Sequence, residues 1–190
     1  VGKTTTNVNL SASIGQLGKK VLVLDMYPQG NTTSGYGIDK NTVENTIYEV
    51  IIDGLDIREA IIETEFDNIH IGAAASELAG AEIELANEDD REYRLRDSIN
   101  KIKDSYDYIF IDCPPSLGML TINSLTAVDI VLIPIQCEYY ALEGLSQLIH
   151  TIELVQERLN QNLSIEGVVF TMYDSRTNLS LQVVDNVKEN

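Results

Sequence analysis

Short apolar runs separated by amphipathic stretches set the rhythm of this chain. Val21-Leu22-Val23-Leu24 is a continuous run of β-branched and leucine residues, the pattern of a strand buried on both faces of a parallel sheet. Tyr108 to Ile111, Ile130 to Ile135 and Ile165 to Thr171 repeat it, and Ile69-His70-Ile71 is a shorter run expected to return the chain to the sheet. Between the runs, Val8, Leu10, Ile14 and Leu17 mark the apolar side of a helix. Gly18 is placed to end that helix, and Lys19 and Lys20 suit the negative end of its dipole. A short helix is expected around Leu117 to Ala127 and a long one from about Ala141 to Leu159, while Gly35 to Ile71 reads as helical and acidic, including Ile47 to Ile52 and Ile57 to Ile62. Buried strands alternating with helices predict an α/β fold: a mostly parallel, right-handed sheet with helices on both faces.

Composition narrows this picture. A hydrophobic content of 44% over 190 residues suits one domain spanning 1–190 with a single core. The apolar runs are too short and too often broken by charge for a signal peptide or membrane span, so no membrane association is expected and the cytoplasm is the expected compartment. Two cysteines, Cys113 and Cys137, make neither a disulfide framework nor a zinc ligand set. Thirteen basic against 30 acidic residues leave a formal charge of −17, a surface that repels nucleic acid unless positive charge is concentrated somewhere. One concentration exists: Arg91, Arg94, Arg96, Lys101 and Lys103, expected on a single helix and diluted by Glu92, Asp97 and Asp104. It reads either as a solvated helix face or as a nucleic-acid footprint.

Chemistry enters at the first residues. Gly2-Lys3-Thr4 is the end of the phosphate-binding pattern G-x-x-x-x-G-K-[ST], in which backbone N–H groups curl around nucleotide phosphates, the lysine reaches the β/γ-phosphates and the hydroxyl binds Mg²⁺. Three residues alone are a weak match, but the helix and buried strand that follow are the order such a loop requires. Because Val1 falls inside the loop, the chain is expected to be a fragment, without the first strand and start of the loop, and without a C-terminal region. A second motif ends the run Tyr108 to Ile111 in Asp112, at the strand edge where ligands of open α/β sheets bind. That is the form of a Walker B carboxylate, able to hold Mg²⁺ directly or through water. The alternative is a cap on the turn at Pro114-Pro115.

Taken in order, VGKTTTNVNL, VLVLDMYPQGNTTSGYG, LAGAEIEL, YDYIFIDCPPSLGMLTINSL, IPIQCEYYALEGLSQL and GVVFTMYDSRTNLS resemble the ParA/Soj family of partition ATPases, within the deviant Walker A group of P-loop NTPases. The resemblance covers essentially the whole chain. It implies an ATP- and Mg²⁺-dependent switch: a homodimer sandwiching two ATP molecules, binding DNA without sequence preference at the nucleoid, and regulated by a ParB-type centromere-binding protein. Carried over by position, Gly2, Lys3, Thr4 and Thr5 bind the nucleotide; Lys3, Asp25 and Asp112 are catalytic; Thr4, Asp25 and Asp112 face the metal. The family's signature lysine would lie upstream of Val1.

One position departs from the family pattern. Where a second aspartate is usual, the chain reads Asp25-Met26-Tyr27-Pro28-Gln29-Gly30, so Tyr27 stands in place of the carboxylate expected to activate water. A phenol is a far poorer proton acceptor than a carboxylate at neutral pH, and loss of such a group typically costs on the order of 10²–10⁴ in rate. Two rivals to a hydrolysing switch follow: a nucleotide-dependent binding module with little catalysis, and a MinD-like membrane-associated relative. Cys113 and Cys137 do not match the cluster ligands of the related nitrogenase iron protein and read as structural thiols; His70 and His150 read as structural too. Tyr139 and Tyr140 either approach the nucleotide or dimer interface or simply pack.

Overall fold

In the computed structural model the described residues are 1–189, apart from the side chains of Tyr139, Tyr140 and Glu189. They form two units, residues 4–127 and residues 128–189 with 1–3. The larger unit runs α1 (Lys3–Gln16), β1 (Val21–Asp25), α2 (Asn31–Gly35), α3 (Ile47–Ile52), β2 (Ile61–Glu63), β3 (Ile69–Gly72), α4 (Ala81–Glu84), α5 (Arg94–Ile99), β4 (Tyr108–Asp112) and α6 (Met119–Ala127). Its sheet has the order β2-β3-β1-β4, with β1 parallel to both β3 and β4, and β2 antiparallel at the edge.

Every residue of β1 is buried, and cores on both faces of the pleat explain why Val21 to Leu24, before the terminal Asp25, includes no polar residue. Leu22 and Leu24 enter one core with Met26, Ile47, Val50 and Leu78. Val21 and Val23 enter another with Tyr36, Ile69 and Ile71. Helix α3 is held against the first core by its start: Thr46 Oγ1 accepts from Tyr48 N at 3.2 Å, and Glu49 accepts from Thr46 N at 2.7 Å. A side chain at Gly72 would meet Ile47 Cδ1 at 2.6 Å and Leu24 Cδ2 at 2.8 Å, so this glycine sets how closely α3 approaches the sheet.

Three sequence expectations need correction here. Leu17 does not lie on the inner side of α1; it is 80% exposed, and the helix buries Ser11 and Gly15. Close approach is the reason, since a Cβ at Gly15 would sit 2.4 Å from Ile69 Cδ1, and Ser11 Oγ lies 2.6 Å from Tyr36 Oη. Ile57 to Ile62 is not helical throughout: one 3₁₀ turn, capped by Asp56, passes into β2, whose Ile61 and Ile62 pair with Gly72 and Ile71. The basic residues from Arg91 to Lys103 do not share one helix. α5 has six residues, and buried Asn123 ties the segment before it by donating to Arg91 O at 2.8 Å and accepting from Leu95 N at 3.2 Å.

The smaller unit contains β5 (Ile130–Gln136), α7 (Tyr139–Arg158), β6 (Ser164–Thr171) and α8 (Asn178–Glu189), with β5 and β6 parallel. Thr171 Oγ1 lies 3.2 Å from both Val1 O and Ile135 O, tying the chain start to the end of β5. Gly2 fits there only as glycine: its φ is +88°, and a Cβ would lie 2.8 Å from Thr171 Cγ2.

Candidate functional site

Parallel pairing of β1 with β4 sets Asp25 directly opposite Asp112 at the carboxyl edge of the sheet. Both are almost completely buried, 0% and 2% exposed. Charged side chains at such depth need several partners, and the two carboxylates find different ones.

Asp112 Oδ2 accepts two hydroxyls, Thr4 Oγ1 from the first turn of α1 at 2.7 Å and Thr32 Oγ1 from α2 at 2.7 Å. Asp25 Oδ2 accepts Thr33 N at 2.8 Å and Thr33 Oγ1 at 2.9 Å, while its Oδ1 accepts Tyr27 N at 3.1 Å. Thr33 Oγ1 in turn accepts Ala74 N, beyond β3, at 3.1 Å. Burial raises the Asp25 pKa above the ordinary carboxylate range, and the neighbouring Asp112 charge adds to the rise; the Thr33 and Tyr27 donors oppose it.

Between β1 and α2 the chain turns through Tyr27-Pro28-Gln29-Gly30, closed by Gly30 N to Tyr27 O at 2.8 Å. Gly30 has φ +65°, and Lys40 Nζ holds Gln29 O at 2.8 Å. The Tyr27 side chain lines a pocket of about 270 Å³ together with Pro28, Leu78, Glu82, Pro114 and Ser116. Its wall is largely apolar.

Of the candidate residues, Thr4, Asp25 and Asp112 therefore converge, and Tyr27 adjoins them through its backbone. Gly2 and Lys3 group with the smaller unit, Lys3 being the first residue of α1, and Thr5 is exposed. Sequence reasoning missed Thr32 and Thr33. Their only local sign is a pair of hydroxyls just after Gly30, and their partners lie eight residues away for Thr33 and 80 for Thr32.

The oxygens fit a hard divalent cation. No cluster of three or more His, Cys, Asp and Glu side chains suited to a metal occurs among the described residues, so a cation needing a full set of protein ligands is poorly served. Mg²⁺ takes one or two carboxylates and completes its shell with water and phosphate oxygens, which matches a hydroxyl beside a carboxylate.

Other candidates resolve more simply. His70 Nδ1 meets Tyr106 Oη at 2.8 Å, and burial, followed by the Lys20 charge, lowers its pKa. His150, read as structural, instead has a side chain 71% exposed beside Glu153. Cys137 is buried, which pushes its thiol pKa up. Arg91, Arg94 and Arg96 are paired with Glu92, Glu88 and Asp97, and Arg96 also stacks on Tyr93 at 4.0 Å. No helix among the described residues is long and apolar enough to cross a membrane.

A parallel α/β sheet whose strand-edge aspartate accepts the hydroxyl that follows a Gly-Lys pair defines a P-loop NTPase fold. A family model described as an AAA domain matches residues 1–165. The chain is 56% identical to the sporulation initiation inhibitor protein Soj of Bacillus subtilis, over 100% of this chain and 75% of that protein. It is 53% identical to the chromosome partitioning protein ParA of Myxococcus xanthus, over 99% of this chain and 66% of that protein. Among solved structures, cobyrinic acid a,c-diamide synthase from Mycobacterium smegmatis, with bound ADP and magnesium, superposes with a TM-score of 0.93 at 37% identity, covering 100% of this chain and 77% of that one. The chain belongs to the ParA/Soj family of partition ATPases.

Proposed function

We propose that this protein is an ATP-driven switch for plasmid or chromosome partition, cycling between a DNA-bound ATP-sandwich homodimer and a released form, with a ParB-type partner stimulating the change. The observation that carries this reading is the 2.7 Å contact between Thr4 Oγ1 and Asp112 Oδ2, which joins the phosphate loop to the strand-edge carboxylate across 108 residues of sequence. ParA supplies the partition role by its name, whereas the Bacillus subtilis Soj is named for inhibiting sporulation initiation and the synthase name belongs to a more distant relative.

In this reading Gly2 and the amides of Lys3, Thr4 and Thr5 cradle phosphate, and the Lys3 ammonium meets the β/γ-phosphates. Thr4 and Asp112 would hold Mg²⁺, with Asp25 beside them at the edge of its water shell. Bound there, the ion would neutralise charge developing on the transferred phosphoryl group. Residues 1–190 act as one ATPase domain, working in the cytoplasm at the nucleoid. The acidic balance and the paired arginines predict weak DNA affinity for these residues by themselves.

A specific observation favours slow hydrolysis. Tyr27 directs its N–H to Asp25 and borders the pocket lined by Pro28, Leu78 and Glu82, so it brings a hydroxyl rather than a carboxylate to the position after Met26. Titration with ATP and Mg²⁺, followed by light scattering for dimer mass and by phosphate release in a single turnover, tests both readings. Nucleotide-dependent dimerisation with slow release is the expected result. Absence of Mg²⁺-dependent ATP binding would overturn the switch.

A further inference from the structure

We infer that Thr32 is a positioning residue for the divalent cation, acting through Asp112. The inference rests on the reading above, in which Thr4 and Asp112 hold Mg²⁺, and goes beyond it by making the affinity of that site depend on α2.

Asp112 Oδ2 receives hydroxyl hydrogens from Thr4 and Thr32, each at 2.7 Å. A carboxylate oxygen has two lone-pair sites, so these two donors fill it. Oδ1 receives no hydrogen bond among the described residues and is the oxygen left for a cation. Were Thr32 unable to donate, Oδ2 would keep one partner in a place where water scarcely reaches, since Thr32 is fully buried and Asp112 nearly so. The carboxylate could then turn about its terminal torsion, which is broad for aspartate, and exchange the roles of its two oxygens. Partners of this kind, which orient a metal ligand without touching the metal, typically govern 10- to 100-fold in metal affinity.

Thr32 adds a connection that Thr4 cannot. It sits in α2, immediately after the Tyr27–Gly30 turn, and the next residue, Thr33, grips Asp25 with its amide and hydroxyl. Successive residues of one short helix thus hold the two strand-edge carboxylates. Any movement that unwinds α2 removes the Thr32 donor from Asp112 and the Thr33 donors from Asp25 together, leaving Thr4 and Tyr27 N as their partners, so cation affinity reports whether this segment is formed.

Replacing Thr32 by valine keeps the shape and removes the hydroxyl; Thr32→Ser keeps the hydroxyl. Affinity for Mn²⁺, measured by electron paramagnetic resonance in the presence of ADP, is expected to fall roughly tenfold or more in Thr32→Val and to stay within about threefold of the parent in Thr32→Ser. ADP affinity in the presence of a chelator should not change in either. Should Thr32→Val fail to fold, as judged by its thermal melt, Thr32→Ala carries the same expectation. Unaltered Mn²⁺ affinity in Thr32→Val, alongside its loss in Asp112→Asn, would overturn the role of Thr32 and leave the metal site standing. Unaltered affinity in Asp112→Asn as well would instead remove the site on which the inference rests.

Discussion

The ends of β1 and β4 present an aspartate in the same register, yet the protein treats the two carboxylates differently. Asp25 accepts from two backbone amides and one hydroxyl, and both of its oxygens are engaged. Among the described residues Asp112 accepts only from hydroxyls, and only through Oδ2. Backbone amides cannot rotate away, so Asp25 clamps the turn and α2 to the sheet. Asp112, held through Oδ2 alone, keeps Oδ1 for a cation in the proposed function. Equal depth and identical chemistry therefore yield a brace on one strand and, in the proposed function, a metal ligand on its neighbour, according to the donors each meets.

The contrast can be broken most strongly at Tyr27, which contributes its N–H to the brace while, in the proposed function, it takes the place of the water-activating carboxylate. Tyr27→Asp is expected to raise single-turnover ATP hydrolysis by about 10²-fold or more, the scale of a positioned general base. Unchanged turnover in that variant, with ordinary rates in the parent, would show that water is positioned by other means.

Exchanging the roles of the two carboxylates gives the next effect. Asp25→Ala leaves Thr33 N and Tyr27 N without their acceptor and should lower unfolding free energy by about 1–3 kcal/mol, seen in denaturant melts without nucleotide. Asp112→Ala should be the milder of the two in that measurement, because its former donors are hydroxyls able to reorient, and the more severe in Mg²⁺-dependent nucleotide binding. Equal losses in both measurements would erase the distinction between brace and ligand.

The smallest effect is one of pH. Because the folded pKa of Asp25 is raised, the native state binds this proton more tightly than the unfolded chain. The Asp25 contribution to metal-free stability should therefore increase as pH falls from neutral through its folded pKa, and be fully present below the ordinary carboxylate value. Asp56, Glu77 and Asp174, whose pKa values are lowered, act in the opposite sense. The useful measurement is thus the difference between the parent and Asp25→Asn across that range. It should grow in favour of the parent on acidification.

Much of the fold was legible because strand burial writes itself into composition. Val21 to Leu24 had to be apolar at every position once β3 and β4 flanked it and cores formed on both faces; Tyr108 to Ile111 and Ile130 to Ile135 are strands as expected but not buried on both faces, since Tyr108 and Ile130 are exposed and most of the others half-buried. Misreadings occurred where the usual correlation of size with burial fails. The inward face of α1 carries Ser11 and Gly15 where it approaches Tyr36 and Ile69 most closely, Val8 and Ile14 pack against the same core, and Leu17, just beyond the helix, is exposed. At Ile61 and Ile62 an apolar pair too short to show a period became an edge strand. From Arg91 to Lys103 charge spacing suggested one helix, but burial of Leu95, Ser98 and Ile99 ordered only a short one.

By itself the sequence determined the alternation of strands and helices, the family, and the presence of a lysine, a hydroxyl and two strand-edge aspartates suited to phosphate and magnesium. Those are local patterns, carried by neighbouring residues. Only the tertiary structure decided that Thr4 and Thr32 meet on one oxygen of Asp112 while Thr33 and Tyr27 occupy Asp25. That choice depends on the register of β1 against β4 and on where α2 settles over their ends, and hydrogen bonds reaching 80 and 108 residues along the chain leave no periodic trace in sequence.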